Sequence, residues 1–160
     1  MSGNTEQRRL MQAAITEAAA GLAAAEGGPF GAVIVREGRV IARSHNQVVA
    51  LNDPTAHAEV QAIRAACRAL GSFDLSGCEI YATCEPCPMC FAAIHWARLD
   101  RLHYGASRQD AAAIGFDDAA IYDVLAARRQ PDLEINAGVD AEGCRHLMAQ
   151  WHGDADRVPY

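Results

Sequence analysis

Two β-prone runs, GAVIVR (31–36) and RVIARS (39–44), are separated only by Glu37-Gly38. A glycine-bearing pair between two such runs reads as a tight β-hairpin. Downstream of it, strand and helix patterns alternate. Asp53-Pro54-Thr55 opens a helix, with a capping side chain and a proline near its first turn, that continues to Gly71. EIYAT (79–83) is a third strand, and Pro86-Cys87-Pro88 starts a helix reaching about residue 97. RLHYG (101–105) is a fourth strand, residues 117–128 form a helix, LEINA (133–137) is a fifth strand, and a last helix covers about 141–152. A hairpin followed by alternating strands and helices predicts an α/β fold, a three-layer α/β/α sandwich around a central mixed five-stranded sheet.

Ahead of the hairpin, residues 4–26 place Leu10, Met11, Ala14, Ile15, Ala18 and Leu22 on one side of an amphipathic helix that stops at Gly27-Gly28. This segment lacks the apolar core of a secretion signal, and no stretch approaches the ~20 apolar residues of a membrane span, so a cytoplasmic location and no membrane partner are expected. No repeat, low-complexity linker or charge run breaks the 160 residues, which are expected to form a single domain. With 51% hydrophobic and 21% charged residues the chain belongs with globular proteins and not with disordered ones. Its formal charge is −6, and all 14 basic residues are arginines, scattered along the chain. A grip on a nucleic-acid backbone calls for a basic patch, so a small uncharged or anionic metabolite suits the chain better than a polynucleotide.

Six cysteines (Cys67, Cys78, Cys84, Cys87, Cys90, Cys144) in a chain without a secretion signal point to metal binding or catalysis ahead of disulfides. Two segments concentrate the chemistry: His57-Ala58-Glu59 and Pro86-Cys87-Pro88-Met89-Cys90. His57, Cys87 and Cys90 supply the three borderline or soft ligands of a catalytic zinc, which keeps its fourth position for water. Both segments lie at predicted helix N-termini, where the helix dipole favours thiolate and disfavours imidazolium. His57 is therefore expected to be neutral. Residues two apart on a helix do not share a face, so His57 and Glu59 can serve one site only if the end of the helix points at it. Glu59 would then take a proton from the water without being a ligand. Cys84, separated from Cys87 by two residues as Cys87 is from Cys90, could instead complete a four-ligand structural site; such a site has no use for Glu59.

HAE followed by PCPMC resembles the signature of the cytidine-deaminase-like zinc deaminases. Beyond it, GGPFGAVIV, NDPTAHAEV, CEPCPMC, HWAR, GFDD with IY just after it, and a C-terminal tyrosine resemble the bacterial guanine deaminases of that superfamily. The resemblance implies a cytidine-deaminase-like fold, one Zn2+ per chain, hydrolysis of a purine base to release ammonia, and Glu59 as proton shuttle. It also implies Asp118 as a second shuttle, with Asp117 left to cap a helix. Asn46 hydrogen-bonding the purine, Phe30 and Trp96 packing on it, and Ala58 among the substrate-binding residues follow in the same way. Tyr160 matches a terminal tyrosine that closes the pocket, in a family where the C-terminal segment, about residues 153–160 in this sequence, is exchanged within a homodimer. Guanosine, cytosine or an aminotriazine as substrate, adenosine in transfer RNA, and a non-catalytic zinc-stabilised interaction module remain alternatives at this stage. His45, beside Asn46, is the one other histidine singled out.

Overall fold

The computed structural model describes residues 2–159, as helix α1 (Ser2–Ala23), strands β1 (Gly31–Arg36) and β2 (Arg39–His45), helices α2 (Val48–Leu51) and α3 (Ala58–Leu70), strand β3 (Cys78–Cys84), helix α4 (Pro88–Trp96), strand β4 (Arg101–Ala106), and helices α5 (Arg108–Ala113), α6 (Ala119–Leu125) and α7 (Ala141–Gly153). The hairpin turn is built as its residues demand. Glu37 and Gly38 take φ values of 51° and 73°, the left-handed pair that matches the twist of the flanking strands. The sheet runs in the order β2-β1-β3-β4. β1 is antiparallel to both β2 and β3, while β3 and β4 are parallel and joined through α4.

β1 carries an almost unbroken apolar run because both of its faces are covered. Ala32 and Ile34 join the core under α3 and α4, with Ala62, Ala66, Ile80 and Ile94. Val33 and Val35 point the other way and pack with Leu10 and Ala14 of α1 and with Tyr81. The expected three-layer α/β/α arrangement is what these two cores produce.

The stripe by which α1 docks is narrower than the sequence pattern suggested. Leu10, Ala14 and Ala18 are buried, whereas Ile15 and Leu22 are 44% and 50% exposed and face outward. Close approach explains the use of small residues: a Cβ on Gly31 would lie 2.2 Å from the Ala14 carbonyl oxygen, so α1 rests directly on the β1 backbone. The helix also ends earlier than Gly27-Gly28. Glu26 N–H donates to the Gly21 carbonyl and Ala25 N–H to that of Leu22, with Ala25 left-handed at φ 55°, which is a Schellman closure built on alanine.

Two further expectations are corrected. The sheet has four strands among the described residues, since residues 133–137 adopt no regular structure; Leu133 and Ile135 are exposed and pair with no strand edge. Alternation is necessary for a strand but does not supply its partner ladder. The helix expected from Asp53 begins instead at Ala58, because the Asp53 carboxylate accepts from the Thr55 N–H (2.8 Å) and Oγ1 (2.7 Å) and closes a turn. Among the described residues no helix is long and apolar enough to cross a membrane. Gly31→Ala is expected to force α1 off the sheet and lower unfolding free energy by about 1–3 kcal/mol, measured by urea titration.

Candidate active site

The late start of α3 solves the facing problem between His57 and Glu59. His57 is the residue before the helix, in an extended conformation (φ −69°, ψ 153°), and Glu59 sits in the first turn. The two side chains are thus not bound to helical spacing. α4 repeats the device: Cys87 precedes the helix at φ −63° and ψ 167°, Pro88 occupies the first turn, and Cys90 follows within that turn. α3 and α4 lie on the same face of the sheet and pack on each other. Their N-termini therefore meet.

At the meeting point His57 Nδ1 lies 3.6 Å from Cys87 Sγ and 3.5 Å from Cys90 Sγ. One donor atom from each residue falls within 4.8 Å of the other two. Zinc bonds of about 2.0–2.1 Å to nitrogen and about 2.3 Å to sulfur set the N···S edge of a tetrahedron at about 3.5 Å, so the donor set fits that ion. Cys84 does not join the cluster. Its thiol donates to the Ser107 carbonyl at 3.6 Å, and burial pushes it up to about 11, which keeps it protonated.

The electrostatics of the three ligands ask for a cation. A hydrogen bond from the Cys90 thiol, helped by His57, holds Cys87 down to about 4 against the cost of burial. Cys90 is driven upward by that same neighbour and by burial. Two neighbouring sulfurs, Cys90 buried and Cys87 partly so, are thus pushed in opposite directions, and a divalent cation would displace the thiol proton. Hydrogen bonding to Cys87 raises the His57 imidazole above its ordinary value and outweighs desolvation, a cause that the helix end alone does not show.

Glu59 is only 7% exposed, and its Oε2 lies 3.4 Å from Cys90 Sγ. Burial is the main force raising this carboxyl above the ordinary carboxylate range. A carboxyl poised upward beside a metal-ligand cluster is suited to accept and return a proton. His57, Glu59 and Cys87 open onto a cavity of about 620 Å³, walled on its other sides by Phe30, Asn46 and Asp118.

Asn46 is 5% exposed. Its Oδ1 accepts from the N–H groups of Gly28 (3.3 Å) and Val48 (3.2 Å), which leaves Nδ2 to donate toward the cavity. Phe30 stands edge-on to Phe116, with ring centroids 4.9 Å apart. The two aspartates divide as follows: Asp117 Oδ1 accepts the Ala119 N–H at 2.9 Å, while Asp118 makes no capping bond, faces the cavity and is raised mainly by burial and then by Cys87.

Three predicted positions lie elsewhere. Ala58 is wholly buried in the core behind the site and its side chain forms no part of the cavity wall. Trp96, at the far end of α4, is 67% exposed and does not line its own chain's cavity. Tyr160 lies outside the described residues. Conversely, sequence reasoning passed over Arg108 and Tyr122. The Arg108 guanidinium lies 4.5 Å from the centre of the Tyr122 ring, the Arg108 backbone N–H donates to Glu85 Oε2 (3.1 Å), and Tyr122 Oη donates to the Pro86 carbonyl (3.1 Å). These contacts tie α5 and α6 to the loop that carries the cysteines. The available signal was Ser107-Arg108-Gln109-Asp110, whose spacing is that of the capping box now seen at the start of α5.

Residues 4–106 match the family described as the cytidine and deoxycytidylate deaminase zinc-binding region. The guanine deaminase of Bacillus subtilis is 54% identical over 112 residues, 70% of this chain and 72% of that protein. Its X-ray structure superposes with a TM-score of 0.88 at 42% identity, covering 96% of this chain and 98% of the other. A tRNA-specific adenosine deaminase of Agrobacterium fabrum is 56% identical over a shorter stretch, 54% of this chain and 57% of its own length. With its His/Cys/Cys cluster, its buried glutamate and these likenesses in sequence and fold, the chain belongs to the cytidine and deoxycytidylate deaminase family and is a zinc-dependent aminohydrolase.

Proposed function

We propose that this chain is a guanine deaminase that converts guanine and water to xanthine and ammonia with one zinc per chain, as a single cytoplasmic deaminase domain. The observation that carries the reading is the buried Glu59 carboxyl, 3.4 Å from a metal-ligand sulfur and open to a cavity with an aromatic and an amide wall. Breadth supports guanine over adenosine in transfer RNA. Likeness to the guanine deaminase structure extends over 96% of the chain with a TM-score of 0.88, while the structure of a tRNA:A34 deaminase covers 64% of it with a TM-score of 0.61. A net charge of −6 without a single lysine also offers a stem-loop little electrostatic purchase.

When bound by His57, Cys87 and Cys90, zinc supplies the polarising charge that brings a water's pKa to about 7. Glu59 would take one proton of such a water as the water's oxygen adds to C2 of guanine, and would pass it to the neighbouring ring nitrogen. Asp118 would carry the remaining hydroxyl proton to the exocyclic amine, so that ammonia departs as the C2–N bond breaks and the oxygen becomes the C2 carbonyl of xanthine. Asn46 Nδ2 donates to the purine and Phe30 packs on its face. Ala58 contributes through its backbone at the first turn of α3.

The C-terminal third supports a homodimer. On α7, Leu147, Met148 and Trp151 are 67%, 69% and 47% exposed, an apolar stripe of the kind that marks an interaction surface. Exchange of the segment between two copies would cover this stripe and bring Tyr160 to the partner's cavity.

Ammonia release across a substrate panel is expected with guanine and not with adenine or cytosine; faster release from guanosine would name a different substrate. Glu59→Gln is expected to keep its zinc, by metal analysis, and lose roughly 10²–10⁴-fold in kcat. A near-normal rate would remove the proton shuttle. Truncation before Val158 should cripple guanine turnover at unchanged zinc content and unfolding midpoint, and normal turnover would exclude the tail from the pocket.

A further inference from the structure

Asn46 faces the cavity, and so do Gly28 and Val48, whose N–H groups hold its amide; the side chains that clamp the neighbouring backbone do not. Glu17, Glu26, His45 and Gln47 all lie outside the cavity wall. His45 closes β2 and Gln47 precedes α2, so they flank Asn46 on the chain. A single residue grips both. The Glu26 carboxylate accepts from His45 Nε2 at 2.6 Å and from Gln47 Nε2 at 3.0 Å. Its backbone carbonyl accepts the N–H groups of Val49 (3.1 Å) and Ala50 (3.0 Å), the first turn of α2. Gln47 Oε1 in turn accepts from Gln61 Nε2 (3.0 Å) on α3, the helix that carries Glu59.

We propose that His45, held by Glu26, is a positioning residue that sets affinity for the purine by fixing the direction of the Asn46 amide. This rests on the purine-pocket reading above. The amide's orientation is determined, because turning it over would set its NH2 against two backbone donors, Gly28 and Val48. Only movement of the backbone can re-aim it, and the backbone is what the clamp holds. A carboxylate only accepts, so the 2.6 Å contact places hydrogen on His45 Nε2. His45 Nδ1 is buried and 3.6 Å from Glu17 Oε2, beyond hydrogen-bond reach, which leaves Glu26 as the group that orients the ring. Space for the ring comes from Gly21: a Cβ there would stand 2.5 Å from His45 Cδ2.

Steady-state guanine kinetics on the zinc-loaded enzyme test this. His45→Ala is expected to raise KM roughly tenfold, as for one lost charge-assisted bond, with kcat changed less than about threefold. His45→Gln, whose amide can donate to Glu26, should recover most of that loss. Gly21→Ala keeps the imidazole but pushes it aside, and should copy the KM rise with the helix intact; it carries the test if His45→Ala does not fold. In an Asn46→Ala background His45→Ala should add nothing to KM, because both act through one amide. Normal KM in both His45→Ala and Gly21→Ala, or a fall in kcat alone, overturns the positioning role while a raised KM in Asn46→Ala preserves the pocket. An unchanged KM in Asn46→Ala instead overturns the pocket reading itself.

Discussion

Two residues that stand just outside helices, His57 and Cys87, hold the rest of the site in dependence on them. Each is extended, each precedes a helix that lies on the same face of the sheet, and each sends its donor atom into the junction of the two N-termini. Had His57 been taken into α3, the facing rule that separates positions two apart would have turned it away from Glu59. The turn closed by Asp53 and Thr55 delays α3, and the proline after Cys87 fixes the start of α4. Local chemistry at two chain bends therefore decides whether a metal can be held at all.

The second constraint is electrical. The site gathers two thiols, an imidazole and two carboxyls in a partly or wholly buried place, and burial raises Glu59 and Asp118 together. Such a cluster is costly unless a cation enters or protons are shared. The same cost is what makes Glu59 useful: a carboxyl kept close to the point of protonation can both take and return a proton. Stability and chemistry thus pull in opposite directions at one residue.

Much of this was legible from residue spacing. The hairpin, the alternation of strands and helices and the metal-ligand set follow from short-range patterns, while the separate roles of Asp117 and Asp118 come from the family resemblance. What escaped depends on partners that sequence neighbours do not reveal. Residues 133–137 alternate as a strand should, but no edge meets them. Ile15 and Leu22 fit the apolar stripe of α1 on a helical wheel, while the flat approach to Gly31 admits only the narrow line through Leu10, Ala14 and Ala18. The upward push on the His57 imidazole comes from a cysteine 30 residues away, and Trp96 stands exposed at the end of α4.

The face that α3 turns to the sheet is made of Ala58, Ala62 and Ala66, all fully buried. Methyl groups are the spacers between this helix and the strands beneath it, and so they set its height above the sheet and its distance from α4. The span between an imidazole and two sulfurs is consequently inherited from side chains that meet neither metal nor purine. Evolution can retune a metal centre of this kind by a methylene in the floor, without altering any residue that performs chemistry.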